Sequence, residues 1–224
     1  MNKVFLKKSN ELVTARYYLP INTQKLICLC ASKIQSDDIS FDTLEITAEE
    51  FQMINKTENP YRDLKDASED LFNAYIHGVD KHGNYTEKKR WVTTVRYYSG
   101  EGKVVFKFHD DIKEWLLQLK INFINYRLDA IESLFNKYSL RIYELLISND
   151  NMKDDMYHMV ISIEKLRAML VLEDKYPKVN DLKRYLIDPV VEELNKTNLS
   201  NVSYNALRKG RVIDRFEFLY YKWF

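Results

Sequence analysis

The chain has 224 residues, 46% hydrophobic and 30% charged, which suits one large or two small globular domains with a real core. Gly (5) and Pro (4) are too scarce for a collagen-like, linker-rich or disordered chain, and no apolar run approaches the ~18 residues of a membrane span. Net charge is only +1, but it is unevenly spread: residues 1–36 carry +5, 37–80 −9, 81–107 +5, 129–174 −4 and 175–224 +4. Such blocks are either chance on solvated faces or the footprint of a polyanion such as DNA.

The start, Met1 to Ser9, lacks a long apolar core and a small-residue cleavage site, so no signal peptide is read and a cytoplasmic location is expected. Leu19 to Ile34 reads as a helix, with Asn22 or Thr23 as its cap and Leu26, Ile27, Leu29, Cys30 and Ile34 on the buried face. Cys28 and Cys30, two apart on that helix, point in different directions and read as reduced thiols. Phe41 to Ile46 reads as a short strand. Thr47-Ala48-Glu49-Glu50 is a capping box that opens a helix through Phe51 and Ile54. Asn59-Pro60 opens the next, striped by Tyr61, Leu64, Leu71, Phe72 and Tyr75 and ending near Gly78. A ribbon follows: Trp91, Thr93, Val95 and Tyr97 on one face, a turn at Ser99-Gly100-Glu101-Gly102, and Val104, Phe106 and Phe108 on the return. Asp110 to Lys120 closes the unit as a helix.

The order then repeats. Tyr138 to Ile147 is a helix, Met159-Val160-Ile161 a short strand, and Ser162 a cap for a helix through Ile163, Leu166, Met169 and Leu170. Val179, Leu182, Leu186, Val190 and Leu194 stripe the last helix, which Asn180 can cap with Asp181 in its first turn. Pro189 inside it predicts a kink or a break. Val202, Tyr204 and Ala206 alternate before a turn at Arg208-Lys209-Gly210-Arg211, and Phe216, Phe218 and Tyr220 alternate after it. Helix, strand, helix, helix, ribbon thus occurs twice. The expected fold is α+β, mainly helical, with two tandem winged-helix domains, residues 1–125 and 126–224, joined without a flexible linker.

Catalytic signatures are missing. No G-x-x-x-x-G-K-[ST] loop occurs, which argues against a P-loop ATPase. His77, His82, His109 and His158 are dispersed, so the paired-histidine metal site of a nicking enzyme is absent despite 16 tyrosines. Asp37-Asp38, Asp110-Asp111 and Asp154-Asp155 fit helix caps or solvated loops better than metal ligands. No catalytic residue, cofactor or metal is expected.

Basic residues carry the remaining signal. In the second domain, Lys178, Asn180, Asp181, Lys183 and Arg184 belong to a helix that can enter a major groove, and Arg208, Lys209 and Arg211 on the ribbon tip can meet phosphates. In the first, Lys56, Thr57, Asn59, Arg62 and Lys65 are groove candidates, and Lys88, Lys89 and Arg90 are ribbon candidates. The first helix also carries Asp63, Asp66, Glu69 and Asp70, so a solvated or dimer-facing role competes with DNA contact there.

Five stretches in order resemble the initiator Rep proteins of iteron-containing, theta-replicating plasmids. Ser9-Asn10-Glu11-Leu12-Val13-Thr14-Ala15-Arg16-Tyr17-Tyr18-Leu19 is similar to the family's S-N-x-L-x-x-A-x-Y-x-L start, and Tyr61-Arg62-Asp63-Leu64-Lys65 fits its first-domain helix. Tyr138 to Leu146 resembles Y-S-x-R-L-Y-E-L-L. Ile187-Asp188-Pro189-Val190-Val191-Glu192-Glu193-Leu194-Asn195 resembles I-x-P-A-x-x-E-I-N and accommodates the proline. Arg208-Lys209-Gly210-Arg211 looks like the K-x-G-R wing tip. The resemblance implies a bacterial, plasmid-encoded protein that binds directly repeated origin sequences in double-stranded DNA without enzymatic activity. It also implies control of copy number through its own promoter, a monomer–dimer equilibrium, and recruitment of the host's initiator and replicative helicase. The family often has a denser basic run in the second recognition helix; here Leu182 and Tyr185 flank only Lys183 and Arg184. A winged-helix repressor is the rival expectation, and a nicking enzyme a more distant one.

Overall fold

A computed structural model describes residues 4–35, 37–79, 86–98 and 100–223. They form two units, the first ending at Glu132 and the second starting at Ser133. The expectations placed on residues 1–3, His82 and Ser99 lie outside the described residues.

In the first unit, β1 (Phe5–Ser9) leads into α1 (Asn10–Thr14), capped by the Ser9 hydroxyl, which accepts the Leu12 N–H at 3.2 Å. The next helix, α2 (Ile21–Ser32), starts from Pro20 and not from Asn22 or Thr23. Thr23 is turned inward, its hydroxyl 3.5 Å from the Asp70 carboxylate, and so does not cap. Cys28 and Cys30 are unbridged and buried, and burial pushes the Cys30 thiol well above its ordinary range. At the junction of β2 (Leu44–Thr47) and α3 (Ala48–Asn55) the capping box forms as expected. Thr47 Oγ1 accepts the Glu50 N–H at 3.2 Å, and Glu50 accepts the Thr47 N–H at 2.9 Å.

Pro60 takes the first position of α4 (Pro60–Asn73), and Leu64, Ala67, Ser68 and Leu71 face inward. This helix stops short of Gly78. Tyr75 belongs instead to β3 (Tyr75–Val79), which pairs with β4 (Thr86–Arg90) in a hairpin the sequence pattern does not announce. A non-local bond holds β3 extended: the His77 N–H donates to the Arg16 carbonyl at 2.8 Å. The expected ribbon is β5 (Val92–Tyr98) and β6 (Lys103–Phe108), joined by β2 in the order β2-β6-β5. A bulge between Val92 and Thr94 sets Val92, Val95 and Tyr97 opposite Phe108, Phe106 and Val104, so Thr93 leaves the expected inner face. The closing helix is only a 3₁₀ turn, Asp110–Ile112, and α5 (Lys113–Leu116), because the chain turns extended at Leu117 and left-handed at Gln118.

The last strand of this unit, β7 (Phe123–Arg127), pairs along its length with β1. The expected domain limit at residue 125 would cut that strand in half. Backbone pairing keeps it with the first unit, and the division follows Glu132 instead.

The second unit contains α6 (Ser139–Ile147), β8 (Met152–Lys153), β9 (Met156–Ser162) and α7 (Ile163–Leu170). Ser162 caps α7 as Thr47 caps α3, its hydroxyl accepting the Lys165 N–H at 3.1 Å. Then α8 (Val179–Leu182), a π turn at Lys183–Ile187 and α9 (Asp188–Leu194) run on as one helix. Lys178, not Asn180, occupies the cap position and gives it no side-chain bond; Asn180 lies already inside the first turn. The π turn resolves Pro189. The Asp188 N–H bonds back to the Lys183 carbonyl, and this wider turn lets a residue without an N–H follow without breaking the helix.

Two long strands finish the chain, β10 (Leu199–Lys209) and β11 (Val212–Lys222), closed by Gly210 and Arg211 with Gly210 at φ +64°. Sheet order is β10-β11-β9-β8. The first unit's β2-β6-β5 and the second unit's β9-β11-β10 therefore follow one scheme. Each places the strand before the capped helix beside the returning ribbon strand, so each unit is a winged helix. No helix among the described residues is long and apolar enough to cross a membrane.

The two wing glycines offer a direct comparison. Both have positive φ, where a Cβ costs about 1–2 kcal/mol. A Cβ on Gly102 would also stand 2.3 Å from the Tyr61 ring at the start of α4, whereas one on Gly210 meets nothing within 4 Å. Urea unfolding should thus show Gly102→Ala more destabilising than Gly210→Ala, with the excess removed when Tyr61→Ala is added. Thr47→Ala and Ser162→Ala should each lower stability by about 1 kcal/mol in the same measurement.

Candidate nucleic-acid interface

The helix from Val179 to Leu194 has one side fixed by its core. Leu182, Leu186, Ile187, Val190 and Leu194 are all fully buried. What the core excludes must face outward. Lys178, Asn180, Arg184 and Tyr185 are exposed, and Asp181 and Lys183 are half-buried. Arg184 lies with its guanidinium 5.3 Å from the Tyr185 ring centroid. Lys183 leans toward β10 instead, its ammonium 5.9 Å from the Tyr204 ring. Tyr204 in turn donates its hydroxyl to Asp188 at 2.5 Å, tying the ribbon to the helix. Partial burial and the Asp188 acceptor push that phenol above its usual range, so it stays a neutral donor.

At the ribbon tip, Arg208, Lys209 and Arg211 are all exposed. Arg208 Nη1 donates to the Arg211 carbonyl at 2.9 Å, which closes the turn and spends one donor there. Lys209 and Arg211 carry no side-chain hydrogen bond or ion pair among the described residues, and neither does Lys178. Those three and Arg184 are the exposed cations of this helix and ribbon tip that can face a polyanion.

The first unit treats its candidates differently. Lys56 sits at the left-handed end of α3 and pairs with Glu132 at 2.9 Å. Thr57 donates its hydroxyl to Asp63 and accepts the Asn59 N–H at 3.2 Å, so both residues build the entrance to α4. Arg62 pairs with Asp63 at 3.2 Å, and Lys65 lies 5.8 Å from the Tyr97 ring. Lys88, Lys89 and Arg90 do not lie on the β5–β6 ribbon but on β4, which pairs with β3. There Arg90 donates to the Phe72 carbonyl at 2.9 Å and to the Tyr75 hydroxyl at 2.8 Å. Lys89 lies 3.6 Å from Glu87 and 4.9 Å from the Trp115 ring centroid, and Lys88 lies 5.6 Å from that of Tyr75. The true ribbon turn holds Lys103, paired with Glu101 at 2.7 Å and Glu45 at 3.1 Å. Its charge is neutralised locally, unlike that of the second ribbon.

Sequence reasoning passed over Arg167 on α7. Its guanidinium donates to the carbonyls of Leu172 (3.2 Å), Lys175 (2.6 Å) and Tyr176, holding the loop that precedes the exposed helix. An arginine on an otherwise amphipathic helix gives no pattern from which that clamp could be foreseen. No group of three or more His, Cys, Asp or Glu able to hold a metal ion occurs among the described residues.

Residues 5–147 match the family model described as "Initiator Replication protein, WH1", and residues 162–220 match "Initiator Rep protein, WH2". A replication initiation protein of Escherichia coli is 29% identical over 221 residues, spanning 96% of this chain and 68% of the relative. An uncharacterized 27.6 kDa protein of Escherichia coli is 23% identical over 225 residues, spanning 94% and 93%. Among solved structures, the Pi initiator protein in complex with iteron DNA has the same fold, with a TM-score of 0.80 over 98% of both chains at 22% identity. Two winged-helix units of one strand scheme, both matched in sequence, make this chain a member of the initiator replication protein family.

Proposed function

We propose that this chain initiates plasmid replication by binding directly repeated origin sequences in double-stranded DNA, and that it does so without catalysing a reaction. The observation that carries the reading is the outward face of the second unit. Lys178, Asn180 and Arg184 stand on a helix whose other side is core, and Lys209 and Arg211 stand at the tip of its ribbon. A helix so placed reads base edges in a major groove while a basic ribbon tip holds phosphates. The fold shared with the Pi initiator protein, solved in complex with iteron DNA, supports the same reading.

Base reading is assigned to the second unit, since the first unit's candidate cations are mostly engaged within the protein. The first unit then contributes backbone contact to the repeat or a dimer interface at the protein's own promoter. Recruitment of host replication proteins follows from an initiator's role. A plasmid carrying this gene and a repeat-containing origin should replicate; a chain that binds the repeats but fails to support replication is a repressor.

Fragments selected from random DNA should contain directly repeated matches. On a selected site Arg184→Ala should weaken binding by roughly 1–3 kcal/mol and leave non-specific DNA little affected. Lys209→Ala should weaken all DNA alike and lower the slope of log affinity against log salt by about 1. Equal loss on every sequence for Arg184→Ala would remove it from the base-reading set.

A further inference from the structure

Tyr185 is 53% exposed on the same helix face as Arg184 and Lys178. An aromatic ring left that open in a cationic surface has no core to serve. Yet it is not loose. Its ring stacks on that of Tyr176, with centroids 6.4 Å apart and planes 23° apart, and the Arg184 guanidinium lies 5.3 Å from its centre. Tyr176 is itself held in a left-handed backbone conformation, φ 50°, which a residue with a Cβ adopts only under constraint. The constraint is Arg167, whose guanidinium donates to three carbonyls of the same loop, including that of Tyr176. An arginine with three of its five donors spent on one loop acts there as a positioning group.

We propose that Tyr185 reads thymine in the major groove through the base's C5 methyl group, and that Arg167 and Tyr176 hold its ring in place to do so. The proposal rests on the reading above, in which this helix enters a groove. In a major groove the thymine methyl is the one apolar feature of a base edge, and the others are hydrogen-bond donors or acceptors suited to Arg184 or Asn180. An apolar ring set beside an arginine matches an edge where a thymine neighbours a guanine. Fixing the ring before binding lowers the ordering cost of the contact, which is what the Arg167–Tyr176–Tyr185 chain supplies.

The test uses the full-length chain and a DNA site selected by it. Wild-type protein is first compared on that site and on unrelated DNA. Absence of any preference defeats the proposed function itself. Given a preference, each thymine is replaced singly by deoxyuridine, which lacks only the methyl group. At one or two positions wild-type affinity should fall about fourfold, the worth of one buried carbon. Tyr185→Ala should bind the thymine and uracil sites equally, whereas Tyr185→Phe should retain the methyl preference, since the ring and not the hydroxyl makes the contact. Tyr176→Ala should shrink the methyl preference while affinity for unrelated DNA stays unchanged, a separation that general misfolding would not give. A methyl preference that persists in Tyr185→Ala, or its absence at every thymine in the wild type, overturns the proposal.

Discussion

Everything the second unit offers to a partner follows from the burial of five side chains on one helix. Leu182, Leu186, Ile187, Val190 and Leu194 are fully enclosed, and each contributes on the order of 1.5–3 kcal/mol by leaving water. Phe216, Phe218 and Tyr220 on the returning strand are enclosed as well. With that side committed, the chain has no freedom over where Lys178, Arg184 and Tyr185 point. The hydrogen bond from Tyr204 to Asp188 then links ribbon to helix, so the cations of the tip and of the helix are held by one framework. What this unit presents to solvent is a by-product of what it buries.

The two units share a strand scheme but not an electrostatic one. In the first, cation and carboxylate meet repeatedly: Lys56 with Glu132, Arg62 with Asp63, Lys103 with Glu101 and Glu45. Exposed pairs of this kind add little stability, but they cancel local field. In the second, Lys178, Lys209 and Arg211 keep theirs. The first ribbon turn thus has its lysine neutralised while the second keeps Lys209 and Arg211 uncompensated, a difference carried by side chains alone.

Much of this was legible in the sequence where the cause is local. The Thr47 and Ser162 caps, Pro60 at the start of α4, and the β10–β11 ribbon with its glycine turn each depend on residues within a few positions of one another. What escaped depends on distant partners. β7 belongs with β1 through a ladder between residues far apart in the chain, and that ladder moved the division from 125 to 132. The stripe of α4 continues through Tyr75, so only the pairing with β4 and the remote bond from His77 to Arg16 reveal a strand there. The site divides in the same manner. That Arg184 and Lys209 stand outward could be read from pattern, whereas Lys183 lies toward Tyr204, Thr57 is consumed in opening a helix, and Lys88 to Arg90 occupy another hairpin. No spacing rule shows which partner a side chain will find.

The wide turn at Lys183–Ile187 also sets the phase of the buried stripe. It takes up one residue more than a regular turn, which rotates the stretch ahead of it by about 100° relative to the stretch behind. That offset keeps the leading half, held by Leu182 and Leu186, in register with the trailing half, held by Val190 and Leu194, so that all four are buried. Exchanging the outward residues Asn180 and Arg184 would leave that burial untouched, whereas a regular turn in place of the wide one would carry Leu182 out of it.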